Sequence, residues 1–273
     1  MDPRLELGVT RLGPRVFRHQ MEALAMAGVR TLGSAELETL VTGGAVAGQG
    51  RPLSPPHVSP LTSLTSVVLT FDDGYEPLAR HAFPVLADLG LRALVFVVTD
   101  YVGRDNDWDV HYGWRRFRHL SWDDLAYWQE RGIEVHSHGV THARLTWLSD
   151  LQAEDELGRS RATIASRLGA PPAGIAYPFG TLDARVRALA AAAGYSLGFA
   201  GPAGPGGRQP RGADPLALRR RPVYAWDAFA PPCVLRENAA GAFGMAVARL
   251  ANRLAVGTAI IQRLSGARYT VRE

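Results

Sequence analysis

Val67-Val68-Leu69-Thr70-Phe71-Asp72-Asp73-Gly74 is the stretch that decides the fold. Its first five residues are β-branched, leucine or aromatic, the composition of a strand buried on both faces. Two acids and a glycine then end it abruptly. Adjacent carboxylates are costly at the buried end of a strand unless something positive compensates them. Neighbours on a regular strand point to opposite faces, but a turn at Gly74 lets both acids reach one cavity. A plain Asp-Asp-Gly turn, with Asp73 capping the next helix, fits the same residues equally well.

Further strands follow downstream. Residues 92–98 read as a second buried strand, with shorter candidates at 133–137, 174–177, 195–200 and 216–224. Helical patterns fill the gaps at 76–89, 122–131, 150–168 and 182–193. Strand and helix alternating at this spacing predict an α/β protein with βα units and a parallel sheet. Periodicity leaves open whether that sheet is doubly wound or closed into a barrel. Upstream, residues 16–27 predict a helix ending at Gly28, and Ser34 is placed to cap a second, short one. Residues 43–63 and 201–215 are rich in Gly and Pro and read as long loops. No repeat or composition break marks a second domain. The expectation is one domain over 1–273, its core at about 66–262, with the helices and loop of 1–65 packed on it.

The 273 residues are 47% hydrophobic and 21% charged, ordinary for a globular chain. A net charge of +4 with no aromatic-basic interleaving and no zinc-finger spacing gives no reason to expect a nucleic-acid partner. Cys233 is the single cysteine, which excludes an intramolecular disulfide and fits either a reducing compartment or an exported protein without bridges. No transmembrane segment is expected: the most apolar stretch, 239–261, is interrupted by Arg249, Asn252 and Arg253 and reads as an amphipathic helix. The opening Met1-Asp2-Pro3-Arg4 lacks the apolar core of a signal peptide. That predicts a cytoplasmic location as written, or an exported one if residues precede Met1.

Two more motifs stand at predicted strand ends. His136-Ser137-His138-Gly139-Val140-Thr141-His142 holds three of the eight histidines. On a helical turn, His138 and His142 would share one face and one metal ion, with a third ligand from elsewhere. His136 would sit behind them as a hydrogen-bonded structural residue. Ala176-Tyr177-Pro178-Phe179-Gly180 closes another strand in a tight turn, whose backbone N–H groups could face an oxyanion.

TFDDG, HSHGVTH and AYPFG, in that order, resemble the NodB-type polysaccharide deacetylases, carbohydrate esterase family 4. The likeness covers residues 67–180 closely and is nearest to the branch acting on poly-N-acetylglucosamine. The resemblance implies a distorted (β/α)7 barrel that removes acetyl groups from an N-acetylated glycan or glycoconjugate. It makes Asp73, His138 and His142 ligands of one divalent metal ion, with zinc the first choice and cobalt, nickel or manganese also suited. Asp72 becomes the general base that takes a proton from the attacking water. Tyr177, Pro178 and Phe179 become the substrate and oxyanion segment, with the Phe179 N–H as the donor.

Two departures from the family pattern stand out. The arginine usual in the third motif, which orients the catalytic acid, is Ala176 here. Arg220, in Leu218-Arg219-Arg220-Arg221, is the substitute that the pattern favours; an exposed basic strand is the plainer reading. Relatives also use a late histidine as general acid, or in the resembling branch one on an N-terminal strand. Here 260–264 read Ile-Ile-Gln-Arg-Leu, and no histidine follows His142. That leaves a second reading open, a catalytically impaired glycan-binding or scaffold protein of the same fold. A third is a related hydrolase acting on a nitrogen heterocycle or a lipid-linked sugar. Trp108, Tyr112 and Trp114 could stack on sugar rings, although packing is the commoner role for such residues.

Overall fold

The computed structural model describes residues 12–43, 66–106, 117–202 and 212–223. Helix α1 (Pro14–Met26) leads into strand β1 (Arg30–Thr31), helix α2 (Ser34–Thr42) and strands β2 (Ser66–Val67) and β3 (Thr70–Phe71). Then come α3 (Phe83–Asp88), β4 (Ala93–Val97), α4 (Trp122–Gln129), β5 (Ile133–Ser137), α5 (Asp150–Leu168) and β6 (Gly174–Ala176). The series closes with α6 (Ala184–Ala192), β7 (Leu197–Pro202) and β8 (Leu218–Arg220). Trp108, Tyr112 and Trp114, the expected helix 239–261 and the stretch 260–264 lie outside the described residues.

Among the described residues, every pairing between these strands is parallel, and β3 to β8 follow one another in sequence order. A doubly wound sheet would reverse direction at a switch point; this one never does. β1 pairs with β2, and β2 runs within three residues into β3. Counting β2 and β3 as one interrupted strand gives seven parallel strands among the described residues, in agreement with the (β/α)7 expectation. The sheet also curls. Laid flat, β3 and β8 would stand about 24 Å apart at the usual strand spacing. Instead, Arg220 on β8 hydrogen-bonds Thr70 Oγ1 on β3 at 3.3 Å.

Strand alternation sorts the core into an inside and an outside. On β4, Leu94 and Phe96 face an interior cluster with Ala176, Leu197, Phe199 and Leu218. Ala93, Val95 and Val97 face outward onto Phe17, Met21 and Leu24 of α1 and Phe83 and Leu86 of α3. Ile175 and Tyr177 face outward onto Leu157 and Val186, from α5 and α6. Helix α2 is the exception to this ring. Its Leu37 and Val41 join the interior cluster, and its Ser34 N–H bonds Glu134 near the start of β5. It therefore closes the barrel at the end opposite the strand tips.

Local chemistry explains most boundaries. Ser121 and Asp124 form a reciprocal cap on α4, Ser149 and Gln152 do so on α5, and Asp183 accepts from Val186 N–H on α6. Three expectations shift. The predicted helix 76–89 is a π turn (Leu78–Ala82) followed by α3, because Pro84 has no N–H to continue an α ladder. Ser34 is not the cap of α2. Gly33 holds that place, with its N–H bonded to Glu36. The predicted strand 216–224 shortens to β8, because Pro215–Ala217 forms a tight turn stapled by Asp214 to Leu216 N–H.

Candidate metal centre

Three strand tips converge at the open end of the barrel. Asp73 follows β3, His138 and His142 follow β5, and the Pro178-Phe179 turn follows β6. The Nε2 atoms of His138 and His142 each lie 3.5 Å from Asp73 Oδ1. The three candidate ligand atoms all fall within 4.8 Å of one another. Both imidazoles are buried, and burial holds the pKa of each below the ordinary histidine value, so they are neutral and available as ligands. His138 Nδ1–H donates to Ala176 O at 2.7 Å, which leaves the Nε2 lone pair facing Asp73. One carboxylate and two neutral imidazoles so arranged fit a divalent cation of the zinc type.

The histidine pair does not use a helical turn. Gly139 and His142 both take positive φ, 83° and 62°, and the intervening loop is irregular. Its N–H groups are taken by side chains rather than by carbonyls four residues back: Gly139 N–H by Ser137 Oγ, and Val140 and Thr141 N–H by Glu156.

Asp72 sits beside this cluster and is gripped by Arg220. Nη1 meets Oδ1 at 2.6 Å and Nη2 meets Oδ2 at 2.8 Å, a two-pronged ion pair. The guanidinium rests near Phe96 and Phe199, with ring centroids at 5.5 and 6.0 Å. Burial alone would raise the Asp72 pKa, but Arg220, with smaller help from His138 and His142, outweighs it and brings the carboxyl down to about 2. The side chain is ionised throughout the physiological range.

Backbone strain gathers at the same place. Among the described residues, only Asp73, His142 and Phe179 are non-glycine residues at positive φ, at 67°, 62° and 60°. Each such conformation costs about 1–3 kcal/mol and persists only where its surroundings enforce it. His119 supplies part of that enforcement, its Nδ1–H donating to Asp73 O at 2.8 Å. Burial depresses the His119 pKa to about 4, so its ring is neutral between Tyr75 and Tyr101.

Of the third motif, Phe179 packs its ring 4.8 Å from that of His142, and Pro178 is buried beside the histidine loop. Tyr177 departs from the expectation of a substrate contact. Alternation along β6 turns its side chain outward into the cluster under α5 and α6, where its hydroxyl donates to Leu216 O at 2.9 Å.

The family profile for polysaccharide deacetylases matches residues 62–198, half of the 273-residue chain. The chain belongs to the polysaccharide deacetylase family. One relative in sequence is YxkH of Bacillus subtilis (strain 168), named as a polysaccharide deacetylase, at 26% identity over 48% of this chain. The match spans 43% of that relative, less than half its length. Among solved structures, the deacetylase PplD of Streptococcus pyogenes, in complex with acetate, superposes with a TM-score of 0.63 at 20% identity. That match covers 78% of this chain and 82% of PplD. IcaB from Ammonifex degensii gives 0.62 at 24% identity, covering 81% of this chain and 90% of its own. At these identities the two structures establish a shared polysaccharide deacetylase fold.

Sequence reasoning overlooked several residues that shape this deacetylase-family site. Thr70 and the Phe96–Phe199 pair seat Arg220, His119 braces Asp73, and Glu156 holds the histidine loop. Only Glu156 left a readable trace: it falls on the same helical face as Ala153, Leu157, Ser160 and Ile164, where a charge is out of place. No helix among the described residues is long and apolar enough to cross a membrane.

Proposed function

We propose that this chain is a divalent-metal-dependent hydrolase that removes acetyl groups from N-acetylated amino sugars in a polysaccharide or glycoconjugate. One observation carries the reading: the Asp73, His138 and His142 ligand atoms converge within 4.8 Å, with an ionised, arginine-held Asp72 next in sequence to Asp73. Family membership supports the reaction class, and likeness to PplD and IcaB supports the fold that serves it.

Asp73, His138 and His142 would hold the ion, and zinc suits that donor set, with cobalt, nickel or manganese as substitutes. A bound divalent ion supplies positive charge that polarises an acetamide carbonyl and acidifies water. The remaining chemistry belongs to the chain. Asp72 accepts the proton of the attacking water. Arg220 fixes the plane of that carboxylate and leaves each oxygen a lone pair for the task. The Phe179 main-chain N–H, at the turn beside His142, is the donor for the oxygen that gains charge as the carbonyl becomes tetrahedral. On collapse the C–N bond breaks as the proton that Asp72 took from water passes to the departing nitrogen, so that acetate and a free amine leave. The glycan class we favour is N-acetylglucosamine polymer, following the sequence likeness to the poly-N-acetylglucosamine branch.

The test is acetate release from N-acetylated glucosamine oligomers of increasing length, after chelation and after return of zinc, cobalt, nickel or manganese. Release that vanishes with chelator and returns with one of these ions is expected. No release with any ion at any length would overturn the proposal.

A further inference from the structure

In the loop between the two candidate histidine ligands, all three backbone N–H groups and two of the three carbonyls have partners. Gly139 O accepts from Thr99 N–H and Val140 O from Asp100 N–H, which ties the loop to the tip of β4. Gly139 N–H is taken by Ser137 Oγ at 3.1 Å. The other two donors go to one residue. Glu156 Oε2 accepts Val140 N–H at 2.7 Å and Thr141 N–H at 3.1 Å, while Glu156 Oε1 accepts the Thr141 hydroxyl at 2.6 Å.

Glu156 belongs to α5 and is 2% exposed. A carboxylate on a buried helix face is expensive, and burial raises its pKa above the ordinary range. Among the described residues, its hydrogen bonds go to the loop that carries the imidazoles. Gly139 takes φ 83°, which favours glycine, and a Cβ there would lie 2.9 Å from Glu156 Oε2, so the carboxylate end would have to shift to admit one. His142 follows directly, at φ 62°, a conformation that an unsupported loop would leave.

We propose that Glu156 is a positioning residue for the metal centre, fixing the Val140-Thr141 backbone so that His138 and His142 present Nε2 to one ion. This rests on reading Asp73, His138 and His142 as ligands. Residues that orient first ligands through a hydrogen bond typically change metal affinity by about 10–100-fold when removed.

The experiment measures zinc affinity by competition with a chromophoric chelator and the visible absorption band of the cobalt-loaded protein. It uses the full chain, with circular dichroism reporting the fold. Wild type should bind one ion. Glu156→Ala should bind about 10–100-fold more weakly, with an altered cobalt band. Glu156→Gln should stay within about threefold of wild type, because one amide oxygen can accept both N–H groups while its NH2 donates to the threonine hydroxyl. Ile164→Val, on the same helix but packed away from the loop, controls for stability alone and should leave affinity unchanged. A folded Glu156→Ala variant with wild-type affinity would overturn the proposal, as would an Ile164→Val variant weakened equally. If Glu156→Ala does not fold, Thr141→Val decides: affinity should fall severalfold, and an unchanged value sinks the idea. Absence of zinc or cobalt binding by wild type would instead refute the ligand reading itself, and this proposal with it.

Discussion

Arg220 and Asp72, 148 positions apart in sequence, meet edge to edge with both nitrogen–oxygen contacts below 3 Å. The pair stitches the last described strand to the first of the six-stranded sheet, and it sets the charge state of the acid beside the candidate ligands. Folding and chemistry therefore share one contact.

Its removal should be visible in a pH profile. Asp72 is held down to about 2 against the upward pull of burial, chiefly by Arg220. In Arg220→Met the burial effect loses its main opponent, so the carboxyl pKa rises. The acid limb of kcat should move to higher pH, and the maximum should drop by about 10²-fold as the base loses its orientation. Arg220→Lys keeps a charge but not the fork, and should fall between the two. An acid limb unmoved in Arg220→Met would contradict the assignment.

Neighbouring acids should separate cleanly. Asp73→Ala should abolish retention of a divalent ion through dialysis, measured by elemental analysis. Asp72→Asn should keep the ion and lose about 10²–10⁴ in acetate release. Substantial turnover in Asp72→Asn would remove it from the role of base.

Two glycines at nearly the same φ offer a test of close packing. Gly180 has φ 63°, and a Cβ there would stand 2.5 Å from Gly201 Cα on β7. Gly90 has φ 64° and open space around it. Gly90→Ala should cost about 1 kcal/mol from backbone strain alone, and Gly180→Ala about 3 kcal/mol or more, since backbone must move. Equal losses in chemical denaturation would show that the approach of the two chains is not tight.

Glu134 predicts a pH-dependent stability. Burial would raise its pKa, yet the His136 ring 3.5 Å away and the Ser34 N–H bring it to about 2, below the ordinary 4.5. A depressed carboxylate contributes stability that is complete above pH 4.5 and is lost as pH falls through about 2. Its side chain is 23% exposed, so the contribution is about 1–2 kcal/mol after screening. The Tm gap between wild type and Glu134→Gln should be constant above pH 5 and shrink toward pH 2. A gap that widened on acidification would reverse the sign argued here.

The sequence made the alternating elements readable because several strands are short apolar runs ended by a turn residue, as at Phe71-Asp72-Asp73-Gly74 and Tyr177-Pro178-Phe179-Gly180. Closure into a barrel was not readable, since it depends on Arg220 reaching Thr70, a contact without any local pattern. Spacing hinted at the two imidazoles through the wrong geometry: a helical turn and an irregular loop both bring residues four apart together. Tyr177 was drawn into the site by motif adjacency, whereas strand alternation sends it to the opposite face. His119 gave no signal because its role is a single bond to a backbone carbonyl.

Helix α2 seals one mouth of the barrel, with Leu37 and Val41 inserted among Leu94, Phe96 and Phe199. Among the described residues, the way to Asp72 is then from the strand-tip side, and in the proposed reaction acetate would leave by the same doorway. On the proposed reading, a polymer would lie across that rim and present one sugar at a time. Traffic at a single entrance would make a departing acid a natural competitor of the next sugar to be presented.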